Sequence, residues 1–90
     1  MSKVSILIAV YNASEFLSEC LDSVLKQTYR NIQVICIDDG STDNSLDILR
    51  EYASKDNRVT VVSLPGNMGQ AHARNEGVKV ADGDLICMLD

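Results

Sequence analysis

The fold of this chain is decided by the stretch Ile35-Cys36-Ile37-Asp38-Asp39-Gly40-Ser41-Thr42-Asp43. An apolar run stops at two adjacent carboxylates, and a glycine and several helix-capping residues follow. This pattern is typical of a buried parallel strand whose carboxyl end opens into a site. Successive side chains of an extended chain point in opposite directions, so we expect one aspartate to hold the loop and the other to face a ligand. A plain turn with a helix cap explains the same residues, so the rest of the chain has to decide between the two interpretations.

The composition predicts one small globular domain. The 90 residues are 46% hydrophobic, which is enough for a core. The net charge of -5 makes nucleic acid and anionic membrane surfaces poor partners. No apolar run is long enough to span a bilayer, and the N-terminus does not resemble a signal peptide. The cysteines lack metal-binding spacing and predict buried free thiols in a reducing cytoplasm: Cys20, Cys36 and Cys87.

Four apolar runs predict strands covered on both faces, at Val4–Val10, Asn31–Ile37, Val59–Ser63 and Asp84–Leu89. Between them, apolar residues recur at helical spacing. Strand and helix therefore alternate, which predicts a doubly wound, Rossmann-like α/β domain with a parallel sheet and helices on both faces. We expect the strand order 3-2-1-4.

The three helices have distinct predicted features. Asn12 is expected to cap the first helix, with Glu15 as its capping-box partner. The buried stripe of that helix is predicted to be Phe16, Leu17, Cys20, Leu21, Val24 and Leu25. The second helix is expected to begin at Ser41 or Thr42, with Asp43 in its first turn. The third is predicted over Gln70–Val80, and its small inner face should lie tightly against the sheet: Ala73, Gly77, Val80 and Ala81.

Ligands of doubly wound sheets bind at the carboxyl ends of the strands, where the strand order reverses. Three polar strand endings are predicted to meet there: Tyr11-Asn12, Asp38-Asp39 and Asp90. This convergence favours a site over a plain turn.

Individual side chains at this edge suggest particular contacts. Asp39 can accept a hydrogen bond from a heterocycle N–H, although helix capping explains it too. Tyr11 offers a face for stacking a base, or it is a packing residue. Arg74 can hold a diphosphate or pair with a surface carboxylate. Asp90 can bind a sugar hydroxyl or a divalent metal. His72 has no partner at catalytic spacing, and we predict no role for it.

At this point four blocks of sequence resemble the inverting glycosyltransferases of family 2. They occur in order and at the family's spacing: Val4–Asn12, Asp38–Asp43, Asn67–Gly77 and Asp82–Asp90. The blocks cover essentially the whole chain, and their combination is far more specific than any one of them.

The resemblance implies a GT-A fold that binds a nucleotide-diphospho-sugar, with a UDP-sugar favoured, for sugar transfer with inversion in polysaccharide biosynthesis. It implies that Tyr11 and Asp39 contact the base and that Arg74 lies near the nucleotide. It places Asp90 as the first aspartate of an Asp-x-Asp motif that binds Mn²⁺ or Mg²⁺. The implied nucleotide-binding set is Ala9, Tyr11, Asn12, Asp38, Asp39, Gly69 and Arg74. The enzyme is expected in the cytoplasm or peripherally at the inner membrane face.

The sequence departs from the family pattern at two points. Ala9 stands where the family commonly has proline. The second metal-binding aspartate would fall two residues after Asp90, and the acceptor-binding half and catalytic base would lie further along. We therefore expect residues 1–90 to be the nucleotide-binding half of a truncated domain, inactive alone and without a tightly bound metal. We also expect its last strand to be an exposed sheet edge that promotes homo-oligomers.

Two other classes of protein fit parts of the sequence. A receiver-type signalling domain also carries paired carboxylates at a strand end, but there the pair resembles a first-strand ending, whereas here it follows the second predicted strand. A non-catalytic nucleotide-binding or interaction module would keep the fold without the chemistry.

Overall fold

The apolar runs form a single parallel sheet, and the amphipathic stretches form the helices that connect its strands. The structure is a computed structural model that describes residues 2–27 and 29–89. The elements in chain order are β1 (Val4–Val10), α1 (Ser14–Lys26), β2 (Ile32–Asp38), α2 (Ser45–Lys55), β3 (Val59–Ser63), α3 (Gln70–Val80) and β4 (Leu85–Leu89). The sheet order is β3-β2-β1-β4 with all pairs parallel. The predicted doubly wound α/β fold and its strand order are confirmed.

Side chains of β1 and β2 alternate between two apolar cores, because successive strand residues face opposite sides of the sheet. Leu7 on β1 and Ile35 and Ile37 on β2 form the smaller core with Ala73 of α3. The larger core lies on the face covered by α1 and α2, and its buried members are Ile6, Ile8, Val10, Leu17, Leu21, Ile32, Val34, Cys36, Leu49 and Val59. Helices therefore cover both faces of the sheet, as predicted.

The close packing of α3 depends on its small residues. A Cβ on Gly77 would lie 2.7 Å from Ile37 Cδ1 and 2.9 Å from Leu7 Cδ2. Ala73 and Gly77 are buried and Ala81 is half-buried, as the sequence predicted. Val80 was predicted on the same inner face, but its side chain is 42% exposed. It is the last residue of α3, where the chain turns away towards β4.

The start of α1 differs from the prediction. Its N-cap residue is Ala13, and no side chain caps it from within the helix. The predicted capping box of Asn12 and Glu15 is wrong, because the Asn12 side chain bonds to a distant loop instead. Phe16, predicted in the buried stripe, is 69% exposed. It lies one residue, and so about 100° of helix rotation, from Leu17 on the buried face.

The start of α2 also lies later than predicted. The helix begins at Ser45, with Asn44 at its N-cap, and not at Ser41 or Thr42. Asp43 is therefore outside the first turn, in the loop before the helix. The residues between Asp38 and Ser45 form hydrogen bonds to another loop and not a helical turn.

The edge strand β4 is more exposed than the rest of the sheet. Every one of its residues is exposed, including Cys87. The expectation that all three thiols are buried is therefore wrong for Cys87, which lines an open groove beside α1, and Cys20 on α1 is half-buried. Cys36 is buried, and desolvation raises the pKa of its thiol to about 12. No helix within residues 2–27 and 29–89 combines the length and apolar character needed to cross a bilayer.

The turn between α3 and β4 is fixed to the start of β1. The Gly83 N–H donates to Ser5 Oγ at 2.9 Å, and the Ser5 side chain is buried. A Cβ on Gly83 would lie 2.8 Å from the Ser5 backbone nitrogen and 2.9 Å from the Lys3 carbonyl oxygen. Backbone atoms cannot move aside as a flexible side chain can, so this position requires glycine.

We predict that Gly83→Ala lowers the free energy of unfolding by about 1–3 kcal/mol, the usual cost of overpacking. Urea denaturation monitored by circular dichroism measures this change. Gly66→Ala is the matched control, because a Cβ there meets no atom within 4 Å. The control should be neutral or slightly stabilising. Equal stability of Gly83→Ala and wild type would contradict the packing described here.

Candidate functional site

A cleft of about 470 Å³ opens at the carboxyl ends of the central strands. One wall is the end of β1 and the residues after it, and the other is the loop into α3. Asp39, directly after β2, lies between the two walls. The lining residues are Ala9, Val10, Tyr11, Ala13, Asp39, Asn67, Gly69 and Gln70.

Asp39 holds the α3 side of the cleft. Its Oδ1 accepts a hydrogen bond from the Met68 N–H at 2.8 Å, and its Oδ2 accepts one from the Gly69 N–H at 3.0 Å. The side chain is buried, and its own backbone N–H donates to the Val10 carbonyl at 2.8 Å. We expected one aspartate of the pair to hold a loop and the other to face a ligand. Asp39 lines the cleft and holds a loop at the same time.

Asp38 holds the loop that follows it, as expected. Its Oδ2 accepts a hydrogen bond from the Ser41 N–H at 3.2 Å. The residue is only 2% exposed, and its Oδ1 accepts no hydrogen bond from the described residues. Asp38 does not line the cleft.

The loops after β2 and β3 touch through their backbones. Gly40 has a φ of 75°, a conformation that favours glycine. A Cβ at Gly40 would lie 2.5 Å from the Gly66 carbonyl carbon and 2.8 Å from the Asn67 nitrogen. Only glycine at position 40 allows the two loops to lie this close.

The β2–α2 loop, residues 39–44, also meets the start of α1. The first N–H groups of a helix have no partner within it and need acceptors from elsewhere. Here three consecutive N–H groups donate to side chains at or next to the β2–α2 loop. The pairs are Asn12 N to Ser41 Oγ at 2.9 Å, Ala13 N to Ser45 Oγ at 3.0 Å and Ser14 N to Asp43 Oδ2 at 3.2 Å.

The bonding is reciprocal, because Asn12 accepts bonds from the same loop. Its Oδ1 accepts from the Thr42 N–H at 2.8 Å and from the Asp43 N–H at 3.3 Å. Asn12 has a φ of 48°, and it is the one non-glycine residue with positive φ in the described part of the chain. Asparagine tolerates this conformation better than most residues. Sequence reasoning identified Asn12 but gave it the wrong partners.

The structure brings some of the predicted site residues together and leaves others outside. Ala9, Tyr11, Asp39 and Gly69 line the cleft. Tyr11 is 46% exposed, so its ring is accessible. Arg74 is half-buried in the second turn of α3 and is not among the lining residues, and neither is Asn12. His72, for which no role was predicted, also lies outside the lining.

Sequence reasoning did not assign Asn67 and Gln70 to the cleft, although both belong to a block that carries the family resemblance. Their place at the start of α3 was the available signal. Nothing in the sequence marks Ser45 as a hydrogen-bond acceptor, because its donor, the Ala13 N–H, lies 32 residues earlier in the chain.

The described residues do not gather three or more His, Cys, Asp or Glu side chains into a group that could hold a metal. Asp90, the predicted metal ligand, lies outside the described residues.

A family model described as "Glycosyl transferase family 2" matches residues 5–90. The chain is 44% identical over 87 residues to "Glycosyltransferase GlyG" of Streptococcus pneumoniae serotype 4, a match that covers 97% of this chain and 29% of that protein. The chain thus spans less than a third of the length of this relative.

Solved structures show the same similarity in three dimensions. The crystal structure of S. aureus TarS 1-349 in complex with UDP-GlcNAc superposes with a TM-score of 0.88 at 33% identity, over 98% of this chain and 26% of that one. The mannosyltransferase PcManGT from Pyrobaculum calidifontis, in complex with GDP-Man and Mn²⁺, gives a TM-score of 0.87 at 27% identity, over 94% of this chain and 26% of that one. The predicted GT-A fold is confirmed.

The loop contacts make a prediction about Asp43. Hydrogen bonding by the Ser45 side chain, and then by the backbone N–H groups of Ser45 and Ser14, lowers the pKa of Asp43 from 3.8 to about 2. Because the pKa is lower in the folded state, this group stabilises the fold above pH 3.8, and the contribution is lost as the pH falls through about 2. A ¹³C NMR titration of the side-chain carboxyl should show the midpoint near 2.

Ser45→Ala should move the Asp43 midpoint up towards its ordinary value, because the largest cause of the shift is removed. Ser63→Ala, at an exposed position on β3, is the matched control and should leave the midpoint unchanged. A wild-type midpoint at 3.8 would show that Asp43 does not hold the start of α1 in solution.

Proposed function

The chain belongs to glycosyl transferase family 2, and from this premise we propose that its cleft binds the nucleotide of a nucleotide-diphospho-sugar. A UDP-sugar is the favoured donor. The observation that carries the proposal is the meeting of Tyr11, Asp39 and the N-terminus of α3 around one cleft. The aromatic face can stack on a base, and the buried carboxylate can accept a hydrogen bond from the N–H of that base. The helix N-terminus can bind a diphosphate.

The base is proposed to bind between Tyr11 and Asp39. An ionised carboxylate has about four lone-pair sites, and Asp39 uses two of them for Met68 and Gly69. It therefore retains acceptor capacity for the N–H of a pyrimidine. The Tyr11 ring is accessible and can stack on that base, which contributes about 1–3 kcal/mol in other nucleotide sites.

The diphosphate is proposed to bind towards the N-terminus of α3. No acidic residue stands in the first turn of this helix, and the Asp39 carboxylate accepts the Met68 and Gly69 N–H groups just before it. The diphosphate is therefore proposed to face the N–H groups of the first turn beyond Gly69. Arg74 follows one turn later on the same helix and is proposed to contribute its charge to the phosphates. Because the chain has a net charge of -5, an anionic ligand would have to be attracted by local donors such as these.

The structural neighbours support this class of ligand. The TarS structure is a complex with UDP-GlcNAc, and the PcManGT structure is a complex with GDP-Man and Mn²⁺. We propose that residues 1–90 form the nucleotide-sugar-binding part of a domain that transfers a sugar with inversion. A divalent ion, Mn²⁺ or Mg²⁺, would neutralise the leaving diphosphate, and we propose Asp90 as one of its ligands. The acceptor hydroxyl also needs a general base, which we do not assign to any described residue.

We also propose a cytoplasmic location, or a peripheral one at the inner membrane face. The support is the presence of free cysteines at positions 20, 36 and 87, since free thiols are typical of reducing compartments.

The receiver-type alternative is not supported. Its acidic pair would end the first strand, whereas Asp38 ends β2. A non-catalytic module that binds nucleotide would use the same cleft, and it is distinguished from an enzyme by the absence of sugar transfer.

We predict that calorimetric titration with UDP gives millimolar or tighter binding. Tyr11→Ala should weaken it about tenfold through the loss of stacking, and Tyr11→Phe should bind like wild type because the ring remains. Asp39→Asn should also weaken binding, because the amide keeps one acceptor oxygen for the loop but loses the charge. Manganese should change the affinity of this chain little.

The matched control is Phe16→Ala, which removes an exposed aromatic ring that does not line the cleft. It should leave the affinity unchanged. A folded wild-type chain that binds neither UDP nor GDP would contradict the proposal, and so would equal affinity of Tyr11→Ala and wild type.

We propose separately that β4 pairs with a second copy of this chain. β4 is an edge of the described sheet, and its apolar side chains are exposed by 37–60%: Leu85, Ile86, Met88 and Leu89. Unpaired edges of this kind recruit another strand.

Sedimentation equilibrium from micromolar to millimolar concentration should show an average mass rising above 9.9 kDa. Ile86→Lys should keep the chain monomeric, because a charged side chain on an edge strand opposes pairing. Val78→Lys changes a similarly exposed apolar residue on α3 and should leave the association unchanged. A wild type that stays monomeric at millimolar concentration would count against this pairing.

A further inference from the structure

The reciprocal hydrogen bonds between Asn12 and the β2–α2 loop hold the residues that flank Tyr11. We propose that Asn12, with Ser41 and Asp43, is a positioning residue that fixes the Tyr11 wall of the cleft before a nucleotide binds. The ligand in this inference rests on the function proposed above. None of the three residues lines the cleft, so they would act through Tyr11 and not by contact with the ligand.

The peptide groups on both sides of Tyr11 are bonded to the same loop. On one side, the Val10 carbonyl accepts a hydrogen bond from the Asp39 N–H at 2.8 Å. On the other side, the Asn12 N–H donates to Ser41 Oγ at 2.9 Å. Tyr11 lies between these two anchors, beyond the last residue of β1. The first anchor continues the β1–β2 ladder by one bond and the second comes from the loop, so the sheet and the β2–α2 loop together set the backbone direction of Tyr11.

The conformation of Asn12 explains why an anchor is needed. A left-handed φ of 48° is less favourable than the usual negative φ even for asparagine, which tolerates it better than most residues, so contacts that hold it matter here. Here the contacts are the bonds from the Thr42 and Asp43 N–H groups to Asn12 Oδ1. Loss of that oxygen would release the turn that aims Tyr11 at the cleft.

The same loop also holds the opposite wall. Asp39 accepts the N–H groups of Met68 and Gly69, and Gly40 packs against the backbone of Gly66. One loop thus sets the separation of the two walls. Fixing both walls in advance raises affinity, because binding then does not have to order them.

The side-chain chemistry of Asn12 suggests two variants that differ in whether the side chain keeps an acceptor oxygen. The bonds from Thr42 and Asp43 to the Asn12 side chain use its Oδ1 atom as the acceptor, and none of them uses the Nδ2 atom of the amide. Asn12→Asp keeps an acceptor in a residue type that also tolerates positive φ. Asn12→Gly keeps the backbone conformation accessible and removes only the acceptor. If the acceptor positions Tyr11, aspartate should rescue what glycine loses.

The first measurement needs no nucleotide. Backbone ¹⁵N order parameters should be about 0.85 at Tyr11 in wild type and Asn12→Asp, and below about 0.6 in Asn12→Gly. The values within the strands should not change. Circular dichroism and urea denaturation show whether each variant is folded under the conditions used.

The second measurement is calorimetric titration of the chain with UDP. Asn12→Gly should bind UDP about fivefold to tenfold more weakly than wild type, and Asn12→Asp should bind like wild type. In a Tyr11→Ala background the Asn12→Gly change should have less than about a twofold effect, because the residue through which it acts is gone. A purely structural role would instead give the same loss in both backgrounds.

The outcomes separate this inference from the proposed function. An order parameter at Tyr11 that is equal in Asn12→Gly and wild type overturns the inference, whether or not UDP binds. An equal loss of affinity in the two Tyr11 backgrounds overturns it as well. A third outcome is that the wild-type chain does not bind UDP, while Tyr11 is rigid in wild type and mobile in Asn12→Gly. This outcome overturns the proposed ligand and leaves the positioning role supported.

Discussion

The parallel pairing of β1 with β2 is the constraint on which the site depends. The ladder runs to its last pair, Val10 opposite Asp38, so both strands end at the same level of the sheet. Both strands are buried on their two faces, and they cannot shift register without exposing apolar side chains. The residues that follow them are therefore forced to leave the sheet side by side. Everything at the rim of the cleft results from this shared ending.

Two loops that leave a sheet together face the same problem, since each precedes a helix whose first N–H groups need acceptors. In this chain, side chains of each loop accept backbone N–H groups of the other loop. Ser41 and Asp43 accept N–H groups at the start of α1, and Asn12 accepts N–H groups before α2. The first N–H of α2, that of Ser45, is accepted by Asp43 Oδ1 of its own loop at 2.9 Å. The bonds between the two loops therefore join the loops to each other just before the helices begin.

The sequence was sufficient for the strands, their order and the bounds of β3 and α3, because these follow from apolar periodicity and from general rules of chain connection. It was insufficient for the starts of α1 and α2. Its sequence context predicts that Asn12 caps the following helix. In the structure its side chain instead accepts the N–H of Thr42, which lies 30 residues away in the sequence. Phe16 and Cys87 were placed inside because they are apolar, whereas burial also depends on which element covers them. The pair Asp38-Asp39 was predicted to mark a site, whereas the contact of Asp39 with the loop before α3 could be seen only in three dimensions.

The position of Asp39 also constrains how a nucleotide can lie in the cleft. Its carboxylate accepts the Gly69 N–H at the N-cap of α3, so part of the favourable field of the helix terminus already faces a negative charge. A diphosphate close to Asp39 would meet that charge, whereas a base N–H would be attracted by it. In the proposed site the base would therefore lie beside Asp39 and Tyr11, and the phosphates would lie further along the first turn of α3, towards Arg74. The Asp39 charge disfavours the reversed orientation as well as favouring the proposed one.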